Sequence, residues 1–329
     1  SKMLISLFIL LASLGVLIWS SDLFVDGASG TSRHLGISPL IVGMIVVGFG
    51  TSAPEMLVSV LSAFQGSPGL AIGNALGSNI SNIGLILGVT ALISPIAVQS
   101  GLLRKEMPIL LLISIMIAAL AADLNISRVD GLLMLFSFLL ITVWLVKQSM
   151  GSREDVLSME AEQLAQLGDL PPLKSSVIRL LAGLVLLILS SKFLVDSAVF
   201  LAQSLGISDL VIGLTVVAVG TSLPELASSL AAVRRNEHDM ALGNVIGSNL
   251  FNSLVAIGAA GSIAPFVVNA GEALRDFGVV LALTVLLYVF CVGIKGRQGR
   301  INRLEGGVLL TAYVGYMAYL LITTTSQIQ

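Results

Sequence analysis

The hexapeptide Gly50-Thr51-Ser52-Ala53-Pro54-Glu55 returns as Gly220-Thr221-Ser222-Leu223-Pro224-Glu225, at an offset of 170 residues. Working outward from it, Gly36–Gly88 aligns with Gly206–Gly258 without a gap, with about 20 of 53 positions identical, too many for chance. Upstream, Ser20, Ser21, Val25 and Asp26 match Ser190, Ser191, Val195 and Asp196, so the repeated unit includes the preceding helix. The chain is two copies of one unit.

The unit is built for a membrane. Of 329 residues, 56% are hydrophobic and 11% charged, with a mean hydropathy of +1.00, about half the charge density of a soluble domain. A hydrocarbon slab ~30 Å thick takes about 20 apolar residues per spanning helix. Hydropathy predicts spans at 3–29, 37–63, 69–94, 105–122 and 128–147, then 176–203, 208–233, 239–264, 272–294 and 304–323. The run Met3–Trp19 reads as the first of these rather than a cleaved leader, because Asp22 follows it and not a small-residue cleavage site. The expected fold is an all-α membrane protein of ten transmembrane helices. An odd number of spans per copy turns the second copy upside down, giving two inverted five-helix repeats. The expected units are 1–147, a linker at 148–175 and 176–329.

Loop charge sets the orientation. One side carries Arg33, Arg104, Lys105, Lys147, Arg153, Lys174, Arg179, Arg234, Arg235, Lys295, Arg297, Arg300 and Arg303; the other has only Lys2, Arg128 and Arg275. This predicts a multi-pass protein of a prokaryotic inner membrane, with both termini extracytoplasmic and the linker in the cytoplasm. The linker, with Glu154, Asp155, Glu160, Glu162 and Asp169, reads as a solvated connection too short for a folded domain. A net charge of -2 with no basic run excludes nucleic acid as a natural partner, and no obligatory protein partner is evident. The single Cys291 excludes an internal disulfide or a CxxC redox pair and reads as a small apolar lining residue.

Each hexapeptide falls mid-span. A proline lacks an N–H and its ring displaces the carbonyl four residues earlier, here Gly50 and Gly220, so the helix is expected to open there and offer backbone oxygens. Irregular backbone at membrane depth is tolerated only when buried in protein or facing a wet cavity. Helices 2, 3, 7 and 8 are therefore predicted to be broken around one interior site. A carboxylate at that depth costs at least ~2.5–3.5 kcal/mol. Glu55 and Glu225, with no arginine or histidine in the spans that offers itself as counter-charge, call for a mobile cation or protons. The next span adds Gly73-Asn74-Ala75-Leu76-Gly77-Ser78-Asn79-Ile80-Ser81-Asn82, matched by Gly243-Asn244-Val245-Ile246-Gly247-Ser248-Asn249-Leu250-Phe251-Asn252. Ser78 and Asn82 share a helix face, as do Ser248 and Asn252; the glycines read as close helix packing.

The donors are then two carboxylates, carbonyls near Thr51 and Thr221, the hydroxyls of Ser52, Ser78, Ser222 and Ser248, and the amides of Asn82 and Asn252. Calcium takes about 6–8 such hard oxygens in flexible geometry, whereas Mg2+ keeps its water. Soft metals would want Cys or His, but His34 and His238 fall at loop edges. Lys192 and Asp196, with Asp22 and Asp26 at the equivalent positions, read as an interfacial charge group. No HExxH or GxSxG is present, so an enzyme is not expected.

These motifs resemble the sodium/calcium exchanger family, whose two repeats carry GTS-x-PE followed by G-N-x-x-G-S-N-x-x-N/D. The resemblance spans essentially the whole chain. It implies Ca2+ ligation by Glu55, Glu225, Thr51 and Thr221, Na+ sites using Ser52, Ser78, Ser222 and Ser248, and Asn82 with Asn252 in the central layer. It also implies that the first and sixth helices slide against the rest. Cargo would be Ca2+ and Na+, or H+ in a proton-coupled relative, with no cofactor. Many members have Asp where this chain has Asn252, and potassium-dependent members use an acidic residue there. The resemblance therefore implies a potassium-independent member.

Overall fold

A computed structural model describes residues 2–98, 103–151, 171–206, 218–292 and 299–326. Most of the linker and the first half of the seventh span lie outside the described residues. The helices are α1 (Lys2–Leu35), α2 (Pro39–Phe64), α3 (Gly69–Ile93), α4 (Leu103–Leu120), α5 (Arg128–Gly151) and α6 (Leu173–Ser204). They continue with α7 (Leu223–Arg234, after a single turn at Ala218–Thr221), α8 (His238–Ile263), α9 (Ala270–Val292) and α10 (Arg303–Ser326). Among the described residues, eight helices are long and apolar enough to cross a membrane. α4 carries Arg104, Lys105 and Glu106 at its start, and only part of the seventh span is described.

Burial sorts the helices into an inner and an outer set. The most apolar stretch of α8 is 94% buried, and those of α2 and α3 are 61% and 67% buried, against 17% for α1, α5 and α10. An apolar helix that is buried on all sides is core, whereas α1, α5 and α10 turn most of their apolar surface to lipid. Glycines bring the inner helices into backbone contact. A methyl group at Gly247 would stand 2.0 Å from the Met44 carbonyl oxygen, and one at Gly243 2.3 Å from that of Leu40. α1 and α6 pack along each other in the same way, through Gly27 against Leu180 and Gly183 against Phe24.

Repeat-equivalent positions exchange partners. Gly88 of α3 lies against Gly306 of α10, while Gly258 of α8 lies against Gly131 of α5. Short strands do likewise: β1 (Ile96–Ala97) pairs with β4 (Arg300–Ile301), and β2 (Asn125–Ile126) pairs with β3 (Phe266–Val267), both antiparallel. Each half thus clasps the other at both ends of the bundle.

The proline motifs depart from the expectation of four broken helices. α2 runs unbroken through Pro54; its irregularity is a π-helical turn at Gly43–Val47, upstream of the motif. α3 and α8 are likewise continuous but widen into π-helical turns at Asn82–Leu87 and Phe251–Ala256. Of the four, the seventh is the one whose described residues are interrupted, at Ser222, where the backbone leaves the helical region (φ -90°, ψ 4°). A π-turn accommodates one extra residue per turn, so it redirects carbonyls without cutting the helix, and such turns concentrate at functional sites.

Candidate functional site

The two proline motifs and the two GSN motifs meet in the core. Glu55 and Glu225 are 4% and 2% exposed and lie within electrostatic reach of one another. Thr51, Ser52, Asn82, Ser222, Ser248 and Asn252 are also buried. Bonds across the repeat interface assemble them. Ser52 Oγ donates to Glu225 Oε1 at 3.3 Å, Ser248 Oγ donates to the Gly48 carbonyl at 3.4 Å, and Asn82 Nδ2 donates to Asn249 Oδ1 at 2.9 Å. The Thr51 hydroxyl lies 3.1 Å from both the Val47 carbonyl and Asn244 Oδ1.

Several oxygens in this shell have no protein partner: Glu55 Oε2, Glu225 Oε2 and Asn252 Oδ1. A buried lone pair without a donor is costly. Two buried carboxylates and neutral oxygens are the donors of a cage that would suit a hard cation.

A cavity approaches this shell from one end of the bundle. Thr221 is exposed where its counterpart Thr51 is buried. A cavity of about 770 Å3 reaches Ser78, Thr221 and Ser222 from the end of the bundle that carries β3. Its outer wall includes Glu272, Arg275, Asp276 and Tyr316. At the opposite end an ion-pair group ties α1 to α6 and to the α7–α8 corner. Asp26 accepts from Arg179 at 2.5 Å and from Arg235 at 2.7 Å. Glu237 takes Arg33 at 3.3 Å and the Ser29 hydroxyl at 2.6 Å. Asp196, the repeat counterpart of Asp26, pairs with Lys192 on its own helix at 2.6 Å and both are exposed, so among the described residues it makes no such cross-helix clasp. At ~0–1 kcal/mol per surface pair, the group gains weight from being a network.

Residues that the motif reading left without a role also matter. Asn74 Nδ2 donates to the Glu55 carbonyl at 3.2 Å, and Asn244 Nδ2 to the Glu225 carbonyl at the same distance. Asn244 also reaches Ser229 Oγ at 3.0 Å. Each asparagine therefore ties the glutamate-bearing helix to its neighbour, and their identity across the repeat was the available signal. Asn79 donates to Ser253 at 2.8 Å, and the Ser81 and Ser222 hydroxyls lie 2.9 Å apart.

The sodium/calcium exchanger protein family matches residues 5–147 and 175–322. The chain belongs to that family. Among its exchanger-family relatives, CaxA of Alkalimonas amylolytica is 45% identical over 322 residues, covering 98% of this chain and 100% of CaxA. The inner membrane protein YrbG of Escherichia coli strain K12 is 39% identical, covering 97% and 96%. A solved structure of the sodium-calcium exchanger NCX_Mj, soaked with zero Na+ and Ca2+, superposes with a TM-score of 0.82 at 34% identity, covering 97% and 99%. Membership makes the chain a membrane transporter of the cation-exchange type rather than an enzyme.

Proposed function

We propose that the chain is a secondary active antiporter exchanging Ca2+ for Na+ by alternating access. The observation that carries this reading is the pair of buried, repeat-equivalent glutamates, each with one oxygen unpartnered among the described residues, near a cavity that reaches Ser222, three residues from Glu225. Glu55, Glu225 and the Thr51 and Thr221 carbonyls hold Ca2+; Ser52, Ser78, Ser222 and Ser248 add oxygens for Na+; Asn82 and Asn252 complete the central layer. The two carboxylates give the site a charge of about -2, balanced by one Ca2+, two Na+ or two protons. Both cargoes therefore compete for the same neutral state, which is the basis of exchange.

The framework for the movement is ten helices in two inverted repeats, 1–147 and 176–329, joined by a linker at 148–175. The exchange of partners between Gly88·Gly306 and Gly131·Gly258 supports it. α1 and α6 move against the other helices, and the Asp26 and Glu237 ion pairs hold the linker end shut in the present state. The deciding measurement is 45Ca2+ uptake into sealed vesicles under separately imposed Na+ and H+ gradients. Uptake driven by Na+ alone supports the reading; uptake driven only by H+ replaces it with a Ca2+/H+ antiporter.

The setting is an inner membrane, in line with the name of the Escherichia coli relative, with both termini extracytoplasmic. An impermeant maleimide applied to intact cells is expected to modify Gln327→Cys and not Ser158→Cys. The native Cys291 is buried and adds little background. The reverse labelling pattern would turn the protein over in the membrane.

Asn252→Asp is expected to change the coupling ion more than calcium recognition. The new oxygen occupies the place of Asn252 Oδ1, but ionised it adds a third negative charge in a dry site, which demands a proton or a further monovalent cation. Transport assayed from about pH 6 to 9, with and without Na+ and K+, should show a new pH or monovalent dependence. A large fall in calcium affinity with neither dependence changed would make Asn252 a direct calcium ligand.

A further inference from the structure

One carboxyl group in the core has no part in the cage. Glu106, in the first turn of α4, is 1% exposed, and neither of its oxygens has a hydrogen-bond partner among the described residues. Lys105 beside it is exposed. The repeat offset of 170 that superposes Ile96 on Phe266, in β1 and β3, also superposes Lys105-Glu106 on Arg275-Asp276. The packing follows suit, since α4 lies against α8 as α9 lies against α3.

The two carboxyl groups nevertheless have opposite surroundings. Asp276 lines the 770 Å3 cavity. Its oxygens are taken by Arg275 Nε at 2.6 Å, Arg275 Nη2 at 3.0 Å and the Tyr316 hydroxyl at 2.9 Å. The glycine pairs place α5 and α10 in register at an offset of 175, Gly131 on Gly306, and that register puts Ile141 where Tyr316 stands. Among the described residues, the α4 end thus shows neither the hydroxyl nor the bonded arginine that Asp276 has, and Lys105 acts on Glu106 only through its charge.

We propose that Glu106 is a cation-binding group of a second vestibule, the counterpart of the cavity that Asp276 lines, which forms on the linker side when that side opens. It takes the hard cations, Ca2+ or Na+, on their way to or from Glu55 and Glu225. This rests on the alternating-access reading. A buried carboxyl group without a hydrogen-bond partner is costly to ionise and favours a proton or a cation on it. Opening the linker side hydrates Glu106 and puts at the mouth of the path a negative charge that no described basic side chain bonds, whereas the charge of Asp276 is taken up by Arg275 where it stands. The two faces therefore recruit cations unequally.

The test compares everted with right-side-out vesicles. Glu106→Gln, close in shape to the neutral acid, is expected to raise the Ca2+ concentration for half-maximal Na+-driven exchange about five-fold on the linker face, the scale of one solvent-exposed charge pair. The opposite face should be unchanged. An equal change on both faces, or none on either, would overturn the proposal. Accessibility is read separately, on a Cys291→Ser background. An impermeant maleimide should reach Glu106→Cys from the linker face, with labelling slowed by Ca2+, and Glu272→Cys from the other. If wild-type vesicles show no calcium exchange but this sided, calcium-slowed labelling is seen, the antiport reading falls and the vestibule stands. Labelling of both cysteines from one face, or no reaction at Glu106→Cys from either, removes the vestibule whatever the transport result.

Discussion

Glu55→Gln and Glu225→Gln are each expected to abolish calcium transport while leaving a folded protein. The carboxylates are buried on facing repeats, and one oxygen of each has no partner among the described residues, so on the proposed reading the cargo supplies the missing partner. Removing one partner of a buried charge pair costs ~3–5 kcal/mol, so uptake should fall by about 100-fold or more at any practical Ca2+ concentration. Folding should survive because glutamine keeps the shape and its carbonyl can still accept from Ser52 at position 225. The asparagine bonds from Asn74 and Asn244 go to the backbone carbonyls and not to the carboxylates, so they remain. Loss should be symmetric between the two mutants. Isotope uptake by purified, reconstituted protein with an unchanged gel-filtration profile checks both halves, and wild-type-like uptake by either mutant would move the site elsewhere.

Gly247→Ala is expected to be the most damaging conservative change among the described glycines of α8. Its added methyl would lie 2.0 Å from the Met44 carbonyl oxygen and 2.6 Å from the Met44 carbonyl carbon and Cα. All three are backbone atoms of the π-turn in α2, so no side chain can rotate away. α2 and α8 would have to separate, and they carry Glu55, Thr51 and Ser248 between them. Overpacking a core with flexible neighbours costs ~1–3 kcal/mol, and a backbone-to-backbone contact belongs at or above the top of that range. The expected result is a large drop in the melting temperature of the detergent-solubilised protein, together with loss of transport. Gly315→Ala is the comparison. Gly315 is exposed, with nothing among the described residues within 4 Å of its added methyl, and alanine favours a helix over glycine by about 1 kcal/mol. Equal stability of the two variants would show that α2 and α8 are not packed as described.

Position in the chain made some features readable and hid others. The spans follow from apolar length, which the bilayer imposes locally on each stretch; α2 at Pro39–Phe64 and α8 at His238–Ile263 fall within a residue or two of the hydropathy estimate. The glutamates stood out for a similar reason, since a carboxylate in an apolar run is conspicuous without knowledge of its neighbours. Asn74 and Asn244 did not, because an asparagine among glycines and serines reads equally as packing or as ligand until the carbonyl it bonds is known. The proline misled at Pro54. Its missing N–H predicts local opening, but whether the helix breaks or absorbs the strain in a π-turn depends on the helices around it.

The amino-acid sequence by itself determined the duplication, the membrane setting and the chemical type of the central donors, because each is written in composition and spacing along one chain. Tertiary structure alone decided how the two copies differ. Thr51 and Thr221 occupy equivalent positions in the two copies, yet one is buried and the other faces a cavity. The two copies also differ in contacts between residues more than 150 positions apart, such as Asp26 with Arg179 and Arg235, where the equivalent Asp196 pairs with Lys192 on its own helix. A repeated sequence specifies two equivalent half-sites; only the packing of one half against the other can make them unequal, and that inequality is what gives the site an inside and an outside.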